Sequence, residues 1–294
     1  MLYSYEQCKI LLNDFESYNT LQNPLLINWN INGKCQNRCT YCFSKDYTSI
    51  PDLLSESKLD HIIACIKSLN PLVVVLSGGE PLLYPKIKHI INNLNKFSGV
   101  ILDTNGLCLN EDFITYFKEN KVLLRISLDD YRSSINESIR KSNVNNSTNI
   151  ILDKIERLLK ANTNFIVHTV LSNENIDYIF EFGKYLVSKG IRFWEIQVVI
   201  PYLGDRKKLL NKISELKIFA QNVENQMNIK IHTNDENEKG IILINPKGEF
   251  LTRKANSLKK EFIDFENKDN PDLNNLMNVL DIQNHFERYT GEII

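Results

Sequence analysis

The sequence lacks the features that mark membrane, secreted and nucleic-acid-binding proteins. No stretch approaches the roughly 18 apolar residues that a membrane-spanning helix needs, and residues 1–10 show no basic segment followed by an apolar core. The 35 Lys and Arg residues are balanced by 36 Asp and Glu, which gives a net charge of -1 and no basic field to attract a long nucleic acid. These absences predict a cytoplasmic protein with neither a membrane nor a long nucleic acid as its partner.

Cysteine is also scarce, and two common nucleotide-binding motifs are missing. Six cysteines among 294 residues are better interpreted as thiols and metal ligands in a reducing compartment than as disulfide bridges. Neither Gly-x-Gly-x-x-Gly nor the P-loop pattern occurs in the sequence. The composition, 43% hydrophobic and 24% charged, is that of an ordinary globular protein.

Half of the cysteines lie in one short segment. Cys35, Cys39 and Cys42 are separated by three and two residues and directly follow an apolar run at 25–31. Iron–sulfur cubes normally take four thiolates, so three cysteines without an obvious fourth partner leave one iron open for chemistry. The alternative is a zinc loop, which would need a second pair of Cys or His ligands, and the other three cysteines are isolated in the sequence.

The rest of the chain alternates short apolar runs with amphipathic helical patterns. This alternation indicates repeated βα units and a parallel sheet. We therefore predict an α/β fold, a partial (β/α)6 TIM-like barrel with a small C-terminal α/β appendage. Helices are predicted at 174–189 and 205–226, and the six predicted strands are 25–31, 72–76, 100–103, 122–128, 165–171 and 193–200.

The predicted domain boundary follows residue 228. Residues 1–228 form the partial barrel, with residues 1–20 as an N-terminal helix, and residues 229–294 form the appendage. Within the appendage, an apolar run, a turn at 245–248 and a second short run predict a β-hairpin over 241–252, and residues 273–286 predict a terminal helix.

Polar residues directly after the predicted strands are the candidate ligand-binding residues, because ligands of such barrels bind at the carboxyl ends of the strands. Gly78, Gly79 and Glu80 follow the second strand. The two glycines allow close approach of the backbone to a ligand, and Glu80 can accept a hydrogen bond from an ammonium group. A plain turn is the alternative.

These motifs resemble those of the radical S-adenosylmethionine (radical SAM) superfamily. The cysteine segment is similar to its Cys-x-x-x-Cys-x-aromatic-Cys loop, with Tyr41 as the aromatic residue, and Gly78-Gly79-Glu80-Pro81 resembles its Gly-Gly-Glu-Pro motif, which holds the methionyl amino group. The resemblance implies a [4Fe-4S] cluster whose free iron is chelated by SAM. It also implies reductive cleavage of SAM to a 5′-deoxyadenosyl radical, with an electron donor such as flavodoxin or ferredoxin.

The resemblance further implies contacts to SAM at the ends of the third and fourth strands. Thr104 and Asn105 match the Thr-Asn-Gly of the family, although a simple Asx-type turn is an equal alternative. Ser127 and Asp129 lie two residues apart and share one strand face with Arg125. If this face is the barrel interior, Ser127 and Asp129 can bind the ribose.

Two further residues are assigned by the same resemblance. Arg140 is a candidate clamp for the SAM carboxylate, because guanidinium binds carboxylate in a bidentate way; a solvated surface charge is its alternative. His168, on the fifth strand, is a candidate SAM contact, and a core histidine is the alternative.

The substrate is either a peptide or a nucleotide. The overall resemblance favours peptide-modifying members with SPASM or twitch extensions, and hence maturation of a ribosomally made peptide. No cysteine follows Cys108, so auxiliary clusters are not expected. A viperin-like nucleotide enzyme is the alternative, because Asn28-Trp29 and the spacing from Ser127 to Arg140 resemble that subgroup. A non-catalytic iron–sulfur protein that senses redox state or binds a partner is an alternative of another class.

Overall fold

The computed structural model describes residues 26–44, 54–198, 206–233, 242–253 and 260–262. The described residues form ten β-strands and seven α-helices. The strands are β1 (Leu26–Asn30), β2 (Val73–Ser77), β3 (Gly99–Thr104), β4 (Leu123–Ser127), β5 (Phe165–Leu171), β6 (Phe193–Val198), β7 (Asn228–Thr233), β8 (Ile242–Ile244), β9 (Phe250–Arg253) and β10 (Lys260–Phe262). The helices are α1 (Glu56–Leu69), α2 (Ile87–Leu94), α3 (Glu111–Glu119), α4 (Ser133–Arg140), α5 (Ser147–Lys160), α6 (Ile179–Ser188) and α7 (Arg206–Val223).

The chain divides into two compact units. The first unit contains residues 1–34, 44–102 and 236–294, and the second contains residues 35–43 and 103–235. The predicted helices at 1–20 and 273–286 lie outside the described residues. The predicted boundary after residue 228 stays a prediction.

In the first unit, β1 pairs in parallel with both β2 and β8, and β2 pairs in parallel with β3. Every residue of β2 is buried, as expected for a parallel strand that is covered on both faces. Helix α1 begins where the Ser55 side chain accepts a hydrogen bond from the Lys58 amide, and it ends at Asn70 in the left-handed conformation. The local sequence thus sets both ends of this helix.

The predicted C-terminal hairpin is confirmed. Strands β8 and β9 pair antiparallel, and the turn between them is closed by a 2.8 Å hydrogen bond from the Gly248 amide to the Asn245 carbonyl. Gly248 has a φ of +77°, which glycine adopts without strain. Strand β10 adds a further antiparallel pairing to β9.

In the second unit, strands β4, β5, β6 and β7 pair in parallel in that order. The two faces of this sheet differ in character. Trp194 donates a 2.8 Å hydrogen bond to Thr169 and meets Phe182 of α6 edge-on, so this face packs against helices. The opposite face carries Ser127 and His168, which are register partners on neighbouring strands.

The six predicted strands are confirmed as β1 to β6, and the helices predicted at 174–189 and 205–226 correspond to α6 and α7, although α6 begins only at Ile179. Strand β7 is a parallel strand in addition to the six predicted ones. The sequence predicts residues 230–232 as part of the appendage, whereas β7 is the parallel partner of β6 over six residue pairs. A short strand carries no local signal for its pairing partner, because pairing depends on residues far away in the chain.

Helix α6 packs closely through Gly183. A Cβ atom at this position would lie 2.7 Å from Cε1 of Phe219 and 2.8 Å from Cζ3 of Trp194. We therefore expect Gly183→Ala to lower the free energy of unfolding by about 1–3 kcal/mol, the usual cost of overpacking. Urea denaturation measures the change. Lys184→Ala, at the exposed neighbouring position, is the control and should change it by less than about 0.5 kcal/mol; equal stability of the two variants would contradict the packing.

Candidate functional site

The loop that carries the three cysteines, residues 35–43, is fixed by its backbone to the end of α4. The Arg38 amide donates a 3.0 Å hydrogen bond to the carbonyl of Arg140, and the Thr40 amide donates a 3.0 Å bond to the carbonyl of Ile139. The last carbonyls of a helix have no partner within the helix. Here the cysteine loop supplies those partners, and the helix end in turn fixes the course of the loop.

The three cysteines of this loop form no disulfide bond and are partly buried. The Cys35 thiol accepts a 3.3 Å hydrogen bond from the Asn37 amide. Burial raises the pKa of the Cys39 thiol, and the nearby charge of Arg140 opposes that increase. Burial outweighs that charge and the pKa is raised overall, whereas metal binding requires the thiolate form.

The three thiols of the loop match the type of ligand that an iron–sulfur cube takes. Within the described residues, no three His, Cys, Asp or Glu side chains are arranged around one metal ion. A [4Fe-4S] cube differs from such a site, since its thiolate ligands are spread over the cluster irons. Three partly buried thiols on one fixed loop fit that ligand set.

The predicted residues after β3 contact the cysteine loop. Asn105 donates a 3.0 Å hydrogen bond to the Gln36 side chain, and its amide nitrogen lies 3.7 Å from the Cys35 sulfur. Its oxygen accepts a bond from the Leu107 amide, and Thr104 accepts one from the Gly106 amide. Asn105 therefore forms the Asx-type turn that the sequence left open, and it also contacts the loop.

Two contact residues of the loop were missed at the sequence level. The Gln36 amide group donates a 2.8 Å hydrogen bond to the sulfur of Cys108. The two residues are 72 positions apart, and Cys108 looked isolated in the sequence. No local pattern could have indicated this pair.

The Gly78-Gly79-Glu80 motif packs against the backbone of residues 32–34 within the first unit. The Gly79 amide donates a 2.9 Å hydrogen bond to the Asn32 carbonyl, and the Glu80 amide donates a 2.6 Å bond to the Lys34 carbonyl. A Cβ atom on Gly78 would lie 2.6 Å from the Asn32 carbonyl oxygen, and one on Gly79 would overlap Lys34. Both glycines are thus required for this backbone approach. Residue 34 directly precedes the first cysteine.

Glu80 is fully buried. Its side chain accepts a 3.0 Å hydrogen bond from the Leu82 amide and caps the short 3-10 helix Pro81–Leu83. Its own carbonyl accepts a 2.8 Å bond from the Asn32 side chain. The bond from the Leu82 amide fixes the orientation of the carboxylate.

Asp129, Tyr41 and Arg140 form a buried network in the second unit. Asp129 is fully buried. Its Oδ2 atom accepts a 2.7 Å hydrogen bond from the Tyr41 hydroxyl and forms a 2.9 Å ion pair with Nε of Arg140. Burial and the Asp129 charge raise the pKa of Tyr41 well above its usual range, although Arg140 opposes them. Burial alone would lower the pKa of Arg140, but its interactions with Asp129, Tyr41 and Cys39 together outweigh burial and raise that pKa.

A second ionic network lies on the polar face of β4 to β6. Arg125 donates two hydrogen bonds to Asp103, of 2.6 and 2.7 Å, and a 3.2 Å bond to Glu195. His168 is the register partner of both Ser127 and Glu195. Its Nε2 atom is buried and has no hydrogen-bond partner among the described residues. Burial is the main cause of the lowered pKa of His168, so the ring is held neutral.

Strand β1 carries two asparagines whose side-chain oxygens are buried. Asn28 and Asn30 lie on the same face of the strand, and Asn28 is flanked by Val75 and Leu243 on the neighbouring strands. The Oδ1 atoms of both asparagines are buried without a partner among the described residues. Buried polar groups are rarely left unpaired, so these two acceptors can bind a ligand.

None of the described helices is long and apolar enough to cross a membrane.

Comparison with known proteins identifies the family. The model of the Radical SAM superfamily matches residues 29–186, more than half of the chain. The S-adenosylmethionine-dependent nucleotide dehydratase of Psychrobacter lutiphocae is 26% identical over 271 residues, which cover 80% of this chain and 85% of the dehydratase.

Solved structures share the fold. The crystal structure of Streptococcus suis SuiB bound to its precursor peptide SuiA covers 92% of this chain and 71% of SuiB, with a TM-score of 0.69 at 14% identity. Native anSMEcpe with bound AdoMet and Cp18Cys peptide covers 84% of this chain and 79% of that protein, with a TM-score of 0.68 at 15% identity. The predicted α/β partial-barrel fold is confirmed. The chain belongs to the radical SAM superfamily, whose enzymes use a [4Fe-4S] cluster and SAM, and it is itself a radical SAM enzyme.

Proposed function

We propose that this enzyme abstracts hydrogen from a ribosomally made peptide. The observation that carries the chemistry is the loop with Cys35, Cys39 and Cys42, fixed by two backbone bonds to the end of α4. The choice of a peptide is supported by the likeness to SuiB and anSMEcpe, whose structures were solved with bound peptides. When bound, the cluster and SAM supply a 5′-deoxyadenosyl radical after the transfer of one electron, and the electron donor is a protein such as flavodoxin or ferredoxin.

We assign the three thiolates to three of the four cluster irons. The remaining iron is then left for the amino and carboxylate groups of SAM. Glu80 binds the ammonium group, since its carboxylate is held in a fixed orientation by the Leu82 amide and a carboxylate forms a strong hydrogen bond with a cation. Arg140 binds the SAM carboxylate, because its guanidinium has five donors and the ion pair with Asp129 engages Nε.

The other predicted contacts are also assigned to SAM, with Gly78 and Gly79 beside Glu80 at the methionyl amino group and Ser127 and Asp129 at the ribose. They share a position at or near the carboxyl ends of the strands or in the cysteine loop, where such barrels bind ligands. They are Tyr41, Gly78, Gly79, Thr104, Asn105, Ser127, Asp129 and His168.

A peptide substrate also suits the face of β1. Asn28 and Asn30 each present a buried Oδ1 acceptor without a partner among the described residues. The backbone of a peptide carries N–H donors along its whole length. Hydrogen bonds from such donors would satisfy both oxygens and would orient the peptide over this face of the strand.

The assignment of the cluster to the loop cysteines predicts that these three thiols, but not a thiol elsewhere in the chain, are needed to bind iron. We expect Cys35→Ala, Cys39→Ala and Cys42→Ala each to lose the cluster and all formation of 5′-deoxyadenosine from SAM under a strong reductant, because each removes a ligand of the cluster. Iron analysis after anaerobic reconstitution and chromatography of the nucleoside measure the two losses. Cys65→Ala is the matched control, since Cys65 lies on α1 and contacts His61; it should behave as the wild-type protein does.

The substrate assignment is tested by isotope transfer. Candidate precursor peptides with deuterated side chains should transfer deuterium into 5′-deoxyadenosine, because hydrogen abstraction moves the label to the nucleoside. The same assay with deuterated CTP should transfer none. Deuterium transfer from CTP would reject the peptide assignment. Iron binding without any formation of 5′-deoxyadenosine would reject the assignment as an enzyme.

The buried neutral state of His168 predicts a pH dependence of stability. Burial is the largest cause of its lowered pKa, the charge of Arg125 acts in the same direction, and Glu195, Asp103 and Asp129 oppose it. Below the unfolded value of about 6.5, the unfolded chain therefore binds more protons than the folded one, and this contribution to stability is lost as the pH falls.

The wild-type protein should lose unfolding free energy as the pH falls below about 6.5. We expect His168→Gln to make this loss smaller, by at most about 1.4 kcal/mol per pH unit. Urea denaturation of the wild-type and variant proteins at several pH values measures the slopes. His61→Gln, at an exposed position on α1, is the control and should keep the wild-type slope. Identical slopes for wild type and His168→Gln would show that His168 is not held neutral.

A further inference from the structure

The Asp129 side chain and backbone are held by strands and helices of the second unit. Its Oδ1 atom accepts a 2.9 Å hydrogen bond from the Val170 amide on β5. Its own amide donates a 2.9 Å bond to the Asn136 side chain on α4, and its carbonyl accepts one from the Asn175 side chain. The carboxylate therefore has a fixed position and orientation before any contact with the cysteine loop is counted.

The other carboxylate oxygen, Oδ2, contacts the cysteine loop. It accepts the hydroxyl bond of Tyr41, which lies between Cys39 and Cys42 in the chain. It also pairs with Nε of Arg140, and the carbonyl of Arg140 accepts the amide of Arg38 in the loop. The Asp129 carboxylate thus contacts the loop directly through Tyr41 and indirectly through Arg140, at the end of α4 that binds the loop backbone.

The cost of burying these groups argues for a specific role. A buried charge is unfavourable unless it is paired and hydrogen-bonded, and a carboxylate has about four acceptor positions. Val170, Tyr41 and Arg140 occupy three of them. Polar networks whose members are paired in this way hold those members in one arrangement, and here one of the members, Tyr41, is part of the cysteine loop.

We propose that Asp129 is a positioning residue for the iron–sulfur cluster, and that it holds loop 35–43 through Tyr41 and Arg140 in the conformation that presents the three thiolates. The inference rests on the proposed function in one respect, the assignment of the cluster to these thiolates. It gives Asp129 and the hydroxyl group of Tyr41 a role in retaining the cluster that is separate from any contact with SAM.

The neighbouring residue, Asp130, provides a matched control. It is also fully buried and pairs with Arg132, with a distance of 2.8 Å between Oδ2 and Nη2. Arg132 also forms an ion pair with Glu181 of α6 and lies against the ring of Tyr178. Asp130→Asn therefore disrupts an ion pair of an equally buried aspartate, and the partners Arg132, Glu181 and Tyr178 lie outside the cysteine loop.

The experiment compares the full-length variants Asp129→Asn, Tyr41→Phe and Asp130→Asn after anaerobic reconstitution. The rate of iron release to a ferrous chelator and the urea midpoint of each protein are measured, together with the electron paramagnetic resonance spectrum of the reduced cluster. Asp129→Asn and Tyr41→Phe should release iron at least about tenfold faster than the wild-type protein, because each disrupts the hydrogen bond between Tyr41 and the Asp129 carboxylate. Their spectra should also differ from that of the wild type. Asp130→Asn should lower the urea midpoint while its iron release stays within about twofold of the wild type.

Each outcome decides the inference. Wild-type rates for Asp129→Asn and Tyr41→Phe, or equally fast release from Asp130→Asn, would overturn it and leave the cluster assignment intact. If Asp129→Asn fails to fold, Tyr41→Phe decides alone, because it removes a single hydroxyl group. A wild-type protein that takes up no iron overturns the proposed function and this inference together.

Discussion

The ion pair between Asp129 and Arg140 is the interaction on which the arrangement of the cysteine loop depends. Residues 31–42 contain no helix or strand, so the conformation of this segment is not set by regular backbone hydrogen bonding. It must come from contacts with other parts of the chain. Tyr41 supplies one such contact through its hydroxyl, and the carbonyls at the end of α4 supply two more. The buried carboxylate connects the strand, the helix and the loop.

The segment just before the loop is fixed by a different kind of interaction. Gly78 and Gly79 bring their backbone so close to residues 32–34 that a Cβ atom at either position would overlap it. The resulting hydrogen bonds run from backbone to backbone and involve no charged side chain. A polar network can be weakened one bond at a time, whereas close backbone packing fails with the addition of a single methyl group. The two motifs therefore tolerate substitution in different ways.

Much of the fold was predictable because its signals are local. Apolar runs such as the one in β2 and amphipathic stripes such as those of α6 and α7 follow from the periods of strands and helices, and their predicted positions are confirmed. Pairing is not local. Strand β7 has the same apolar alternation as an isolated hairpin strand, and its position beside β6 depends on residues more than 30 positions away. The same limit hid the contact between Gln36 and Cys108.

The candidate site shows where sequence patterns stop being informative. The cysteine spacing was readable because all three ligands lie within one short segment. Asp129 was placed on a strand face with Ser127 by alternation, but β4 ends at Ser127, and beyond the end of a strand the alternation of side chains no longer fixes their direction. The carboxylate instead meets Tyr41, which is 88 positions away. Arg140 could have been a solvated charge, yet it is buried at the last turn of α4, where Asp129 compensates its charge. A residue type and a spacing indicate that a charged group is present; which partner neutralises it is decided only by the tertiary structure.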